Sequence, residues 1–287
     1  MIKLKQLFLA VLLLGTIISA IVSTSAQAAN EQPKADMRIV ALAPHIVEML
    51  FDIGAGEKIV ATVEYADYPE AALSIPRVGG YHGIKIEKIL ELKPDLVIAW
   101  QTGNQTSDIE KMEKLGLNIV YSHPKNIEDV AKDLRRLGKL VGHQQQAEQV
   151  ANAYDKKLKN LRQTYANKKP VPVFYQLWAE PLRTINKTTQ INQLIEVCQG
   201  LNVFADNPTA YPKIGIENVI VAQPEIIIIP DEKTTRVQPV IEWRKWPEIP
   251  AAKNNKFISV NADLLHRFST RMLSGIEEMC TKIEEVR

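Results

Sequence analysis

The sequence predicts an α/β protein of two Rossmann-like lobes with parallel sheets, joined by a single long backbone helix. Three observations predict it. Short apolar runs alternate with helical patterns in both halves, a long stretch without Gly or Pro lies between them, and one motif occurs twice at a fixed offset. Buried apolar strands separated by helices are the pattern of parallel sheets covered on both faces.

The chain begins with an export pattern. Lys3 and Lys5 precede an uncharged apolar run, residues 7–22, and Ala26-Gln27-Ala28 is a small-residue cleavage site. This reads as a signal peptide, residues 1–28, cut before Ala29, with an uncleaved membrane anchor as the alternative. No cysteine stands near the site to take a lipid. The expected compartment is the periplasm of a Gram-negative cell.

The first lobe, 29–142, carries expected strands at 38–43, 58–63, 96–99 and 118–121, with helical segments at 46–53, 87–92 and 107–115 between them. The interlobe helix, 143–169, lies between Gly142 and Pro170, where Ala147, Val150, Tyr154, Leu158, Leu161 and Tyr165 recur at spacings of three and four. That is one apolar helix face, and some 23 residues at about 1.5 Å each reach roughly 35 Å, enough to brace both lobes. The second lobe, 170–287, carries strands at 171–177, 226–229 and 257–260, with helices near 190–198, 217–222 and 270–286.

The repeat ties the lobes together. Tyr81-His82-Gly83-Ile84-Lys85-Ile86-Glu87 matches Tyr211-Pro212-Lys213-Ile214-Gly215-Ile216-Glu217, and Leu92-Lys93-Pro94-Asp95-Leu96-Val97-Ile98 matches Ala222-Gln223-Pro224-Glu225-Ile226-Ile227-Ile228, all at an offset of 130 residues. A helix, a proline stop and a buried strand thus occur twice in the same order, as expected of two copies of one fold facing each other.

Charge narrows the function. Removing residues 1–28 takes two lysines from 35 basic residues and leaves 33 against 33 acids, so the exported chain is formally neutral and has no nucleic-acid footprint. Motifs for phosphate binding, dinucleotide binding, a serine-hydrolase elbow or a zinc protease do not occur, and no carboxylate pair is spaced for acid–base work. The expectation is a binding protein without catalytic residues.

In open parallel sheets ligands sit beyond the carboxyl ends of the strands. After the predicted strands come His45, then Tyr65, Asp67 and Tyr68, then Trp100, then His123, and in the second lobe Trp178, Asp231 and Asp263. Tyr81 and Tyr211 of the repeat fall in loops on the same side. For a chain only 6% aromatic this is a concentration of rings, suited to a large, flat, partly apolar ligand held between the lobes. The expected ligand-binding set is Tyr65, Tyr81, Trp100, Trp178, Tyr211 and Asp263. Glu87 and Glu217 open their helices, where each either answers the helix dipole or stands at a lobe tip as a docking contact for a symmetric partner. Cys198 and Cys280, 82 residues apart, form a disulfide in an oxidising compartment or remain two buried thiols.

Tyr65-Ala66-Asp67-Tyr68-Pro69, the strand Leu92-Lys93-Pro94-Asp95-Leu96-Val97-Ile98-Ala99-Trp100, the segment Leu194-Ile195-Glu196-Val197-Cys198-Gln199-Gly200 and the late Cys280 resemble the periplasmic vitamin B12-binding proteins of ABC importers, within the helical-backbone (class III) solute-binding superfamily. The resemblance runs over nearly the whole exported chain. It implies a corrinoid such as cobalamin as the transported ligand, no resident cofactor or metal, an inner-membrane ABC permease as partner, and a monomer. It also implies corrin contacts at Tyr65 and Trp100, tyrosines at 81 and 211 where the family usually has tryptophan, docking roles for Glu87 and Glu217, and a Cys198–Cys280 disulfide. Two segments depart from the family pattern: Asp263-Leu264-Leu265-His266-Arg267 lacks an aromatic pair, and Arg183 replaces an aromatic. Both departures put a different corrinoid in view, one with another lower base or none. The rival readings are a haem or iron-siderophore binder, using Tyr81 and His82 on iron, and a divalent-metal receptor using His45, His82, His123 and His266.

Overall fold

Side chains that are apolar on both faces of a strand demand cover on both sides, and the computed structural model, which describes residues 36–231 and 239–287, provides it twice. The expected signal peptide lies outside the described residues, and among those described no helix is long and apolar enough to cross a membrane. Twelve strands are described in chain order: β1 Ile39–Ala41, β2 Ile59–Thr62, β3 Gly79–Gly80, β4 Gly83–Ile84, β5 Leu96–Trp100, β6 Ile119–Ser122, β7 Val171–Tyr175, β8 Trp178–Ala179, β9 Leu182–Arg183, β10 Gly200–Asn202, β11 Ile226–Asp231 and β12 Phe257–Asn261.

One parallel sheet has the order β2-β1-β5-β6 and the other β10-β7-β11-β12. Counted within each half, both are second-first-third-fourth, so the halves share one topology. The repeat is structural as well. Helices Ile86–Glu91 and Ile216–Ala222 begin 130 residues apart, as do β5 and β11. Lys93 and Gln223, again 130 apart, both turn into the left-handed region, with φ of 46° and 51°, to stop the helix ahead of the proline.

The inner face of each sheet feeds one continuous core. Ile39, Ala41, Leu96 and Ile98 from the first sheet and Val173, Tyr175, Ile226 and Ile228 from the second all belong to it. The alternate residues point outward: Val40, Val97 and Ala99 meet Ile86, Ile89, Ile109 and Met112, while Phe174 and Ile227 meet Trp243 and Ile249. The long helix, Gln144–Tyr165, spans about 33 Å and buries Ala147, Ala151, Tyr154, Leu158, Leu161 and Tyr165. It packs on Asp129–Val141 of the first half and on Gln190–Val197 and Met272–Val286 of the second. Gly138 is required where the first of these helices meets it, because a Cβ there would overlap that of Ala147. Tyr154 hydroxyl donates to the Ile127 carbonyl at 2.9 Å, satisfying the buried phenol.

Cys198 and Cys280 form the disulfide, with Cα atoms 4.8 Å apart, tying the end of Gln190–Val197 to Met272–Val286. Three differences from the expected elements have simple causes. The strand β10 has only Leu201 as an apolar residue and that side chain is exposed, so no alternation announced it. Hairpins β3–β4 and β8–β9 are two residues per strand, too short for a periodic signal. Trp178 therefore lies within a hairpin strand, paired with Arg183, rather than in a loop.

Candidate functional site

The carboxyl ends of both sheets open onto a shared cavity of about 450 Å³. The first half contributes Trp100, Thr102, His123 and Pro124; the second contributes Leu177, the segment 188–191, Tyr211, His266 and Phe268. The wall is aromatic, imidazole and hydroxyl in character, and Lys125 is its one ionic member among the described residues. Such a surface suits a flat, largely apolar ligand with a few polar anchor points.

Trp100 closes β5, and its position follows from its neighbours. Its N–H donates to Asn104 Oδ1 at 2.7 Å, and Asn104 Nδ2 donates to the Leu42 carbonyl at 2.8 Å, which ties the turn to the end of β1. The indole lies so close over this turn that residue 103 has to be glycine: a Cβ would overlap the ring. His45 meets the ring edge-on, with centroids 5.2 Å apart. The indole Nε1 is buried and has no hydrogen-bond partner. A buried donor without an acceptor costs about 1–3 kcal/mol.

Tyr211 is the second expected ring in the wall, and its loop is anchored by Arg183, which donates to the Tyr211 carbonyl at 2.9 Å. The residue that departs from the aromatic pattern thus positions one of the aromatics. The other expected rings lie outside this wall. Tyr65, with φ of 63°, is 61% exposed after β2; Tyr81, in the β3–β4 turn, is 80% exposed; Trp178 is 44% exposed. Asp263 is half-buried and bound to Arg267 at 2.9 Å. Of the four histidines that could have formed a metal centre, only His123 and His266 reach the cavity, His45 is buried beside Trp100 and His82 is exposed. Among the described residues no group of three or more possible metal ligands occurs.

The halves are also held by an ion cluster that sequence reasoning missed. Arg267 contacts Glu48 at 2.9 Å, Asp67 at 2.7 Å and Asp263 at 2.9 Å, so one guanidinium from the second half binds two carboxylates of the first. Arg271 donates twice to Glu48, both at 3.0 Å, and lies 3.7 Å over the Tyr68 ring. Thr270 donates to Asp52 at 2.7 Å. Glu48 is only 1% exposed. Burial pushes the Asp52 carboxyl up to about 6, opposed by the Thr270 hydrogen bond and reinforced by Glu48. A signal existed: Glu48 is the one charge inside the apolar run Ile46-Val47-Glu48-Met49-Leu50-Phe51, which places a carboxylate on a buried helix face.

A second polar chain runs from His45 through Ser122 to Asp133. Ser122 hydroxyl donates to Asp133 Oδ2, so its single proton is used and His45 Nε2 must donate to Ser122 Oγ, at 3.1 Å. Burial, assisted by Arg267, holds the His45 pKa down to about 3, and the ring is neutral. The three residue types of a hydrolase triad meet here in the wrong order. The serine sits between histidine and aspartate, gives its proton to the acid, and gains no base. The arrangement is structural.

Glu87 and Glu217 are the second residues of their equivalent helices, and both are exposed. The periplasmic binding protein model matches residues 39–264, which includes both four-stranded sheets and the cleft residues from Trp100 to Tyr211. This chain belongs to the periplasmic binding protein family. Within the family, the vitamin B12-binding protein of Vibrio cholerae serotype O1 is 36% identical over 248 residues, covering 86% of this chain and 89% of that one. The vitamin B12-binding protein of Photorhabdus laumondii is 33% identical over 251 residues, 88% of this chain and 89% of the other. The crystal structure of the periplasmic vitamin B12-binding protein of Vibrio cholerae superposes with a TM-score of 0.80, covering 87% of this binding protein and 97% of that chain. A periplasmic haem-binding protein from Roseiflexus has a TM-score of 0.77 at 21% identity, covering 87% and 98%, a likeness of fold.

Proposed function

We propose that this periplasmic binding protein captures cobalamin or a related corrinoid between its lobes and delivers it to an inner-membrane ABC importer. The observation that carries the reading is a cleft wall built from both halves, with Trp100 and Tyr211 in it, in a chain 36% identical to a vitamin B12-binding protein over 86% of its length. A corrin is a broad, flat ring edged with amides; aromatic faces stack on the ring, and the Thr102, Thr188 and Thr189 hydroxyls meet the edge. Tyr65, Tyr81, Trp178 and Asp263 ring the mouth as further contacts in this reading, reached when the lobes, 29–142 and 170–287, adjust around the ligand. The brace helix, 143–169, limits that adjustment to a small movement. Glu87 and Glu217 serve as one docking carboxylate per lobe for a two-fold permease, each able to form charge-assisted bonds to arginine. The protein acts as a monomer and by binding, without catalysis.

The test is titration of the purified protein with cyanocobalamin, cobinamide and haem, followed by tryptophan fluorescence corrected for ligand absorbance and by calorimetry. The reading expects saturable one-to-one corrinoid binding, with quenching reduced in Trp100→Phe and reduced further when Trp178 is replaced as well. Tight haem binding with no corrinoid binding would overturn it.

A further inference from the structure

Among the described residues the cavity wall holds two imidazoles, one from each half, and no carboxylate. His266 is set as a metal ligand would be. Its Nε2 is 2.9 Å from the Tyr175 hydroxyl, and Tyr175 is fully buried, so the ring orientation is fixed by a group that does not move with the loop. That contact occupies one nitrogen and leaves Nδ1 as the nitrogen available to a ligand. Burial holds the His266 pKa down to about 4, so the ring is a neutral imidazole in any compartment near neutral pH. A neutral imidazole with its far nitrogen engaged by a fixed partner is the usual form of a protein metal ligand. Phe268, two residues on, also lines the cavity and carries no donor atom. Among the described residues the Tyr175 contact is the one side-chain hydrogen bond of His266, and the neighbouring Arg267 is held by Glu48 of the other half.

We propose that His266 is an axial ligand to the cobalt of a corrinoid that lacks its own lower base, so that the cleft accepts base-free corrinoids through a cobalt–imidazole bond as well as by ring stacking. This rests on the corrinoid reading above and adds a coordinate bond to it. Cobalt accepts imidazole nitrogen readily, and a corrinoid without an attached base has that axial position filled only by exchangeable water. Binding replaces this water by His266 Nδ1; the Nε2 proton stays on the ring and is donated to Tyr175, so no redox change or net proton transfer accompanies the exchange. A base-bearing corrinoid fills the same position with its own nitrogen and gains nothing from His266.

The test uses cobinamide reduced to the cobalt(II) state and bound to the purified protein, read by electron paramagnetic resonance. A nitrogen axial ligand splits each cobalt line into three; protein grown with nitrogen-15 histidine splits it into two. The proposal expects the three-line pattern, its conversion to two lines on labelling, its loss in His266→Ala and its survival in His123→Ala. It also expects His266→Ala to weaken cobinamide binding by roughly tenfold or more, while a far-UV circular dichroism spectrum matching the parent's reports that the variant is folded. Cyanocobalamin binding together with no nitrogen splitting from cobinamide would overturn the ligation and leave the corrinoid reading standing. Splitting lost in His123→Ala but kept in His266→Ala would reassign the ligand and overturn the proposal. Absence of binding by both corrinoids would overturn the corrinoid reading and the ligation with it.

Discussion

Glu48→Gln is the sharpest perturbation available to the interlobe cluster. It keeps the shape of the side chain and removes one negative charge from a site that is 1% exposed. Two guanidiniums are affected, unequally. Arg267 keeps Asp67 at 2.7 Å and Asp263 at 2.9 Å. Arg271 loses its charged partner and one of its two 3.0 Å bonds, keeping the amide oxygen as acceptor, the Tyr68 face and the more distant charges of Asp52 and Asp67. Removing one partner of a buried pair costs about 3–5 kcal/mol, and the two acids left to Arg267 put the expected loss near 3 kcal/mol. For a domain of this size each kcal/mol moves the midpoint by about 2–4 °C, so circular dichroism at neutral pH should show a Tm lower by roughly 6–12 °C. The double variant Glu48→Gln with Arg271→Met removes the stranded guanidinium too, and its loss should fall short of the sum of the singles by about 1 kcal/mol or more. A Glu48→Gln protein within about 2 °C of its parent would put the cluster on a par with exposed ion pairs, worth under about 1 kcal/mol, and refute the reasoning.

Asp52 gives a pH signature of known sign. Its folded pKa, about 6, lies above the ordinary 3.8, so its contribution to stability is fully present below about pH 4 and is lost as pH rises through 6. Asp52→Asn keeps an oxygen for Thr270 but never ionises; it should exceed the parent in stability by on the order of 2 kcal/mol above pH 6 and converge with it near pH 4, in urea unfolding across that range. Replacing Cys198 and Cys280 by alanine should cost about 4 kcal/mol by the same measurement, because an 82-residue separation is no longer closed in the unfolded chain. Glu87→Lys and Glu217→Lys should each leave cyanocobalamin affinity unchanged in the titration and lower corrinoid uptake by cells; a loss of affinity would place those side chains in the cleft.

The architecture was legible where chemistry repeats itself. Ile226-Ile227-Ile228 against Leu96-Val97-Ile98, each behind a Pro-acid pair, announced equivalent central strands because both faces are buried and a run of apolar residues is the only solution. The brace helix was legible for the opposite reason: one face only is buried, so the three-and-four spacing shows. Val150, expected on that face, is half-buried against the core at its edge, and Ala151 beside it is fully buried. The short strands were silent, since two or three residues have no period. In the cleft, Trp100 and Tyr211 could be found because ligands gather at strand ends. Glu48, Asp52, Thr270 and Arg271 could not be paired from sequence, because their partners are more than two hundred residues away and charge alone does not say which arginine meets which acid. The role of Arg183, holding the Tyr211 loop through a main-chain bond, leaves no trace in residue type.

The shared core has a mechanical consequence. Ile98 and Ile228 belong to one apolar body, and the long helix Gln144–Tyr165 packs on helices of both halves. Opening one half strips cover from the other, so the two should melt in a single cooperative step rather than in two separate transitions.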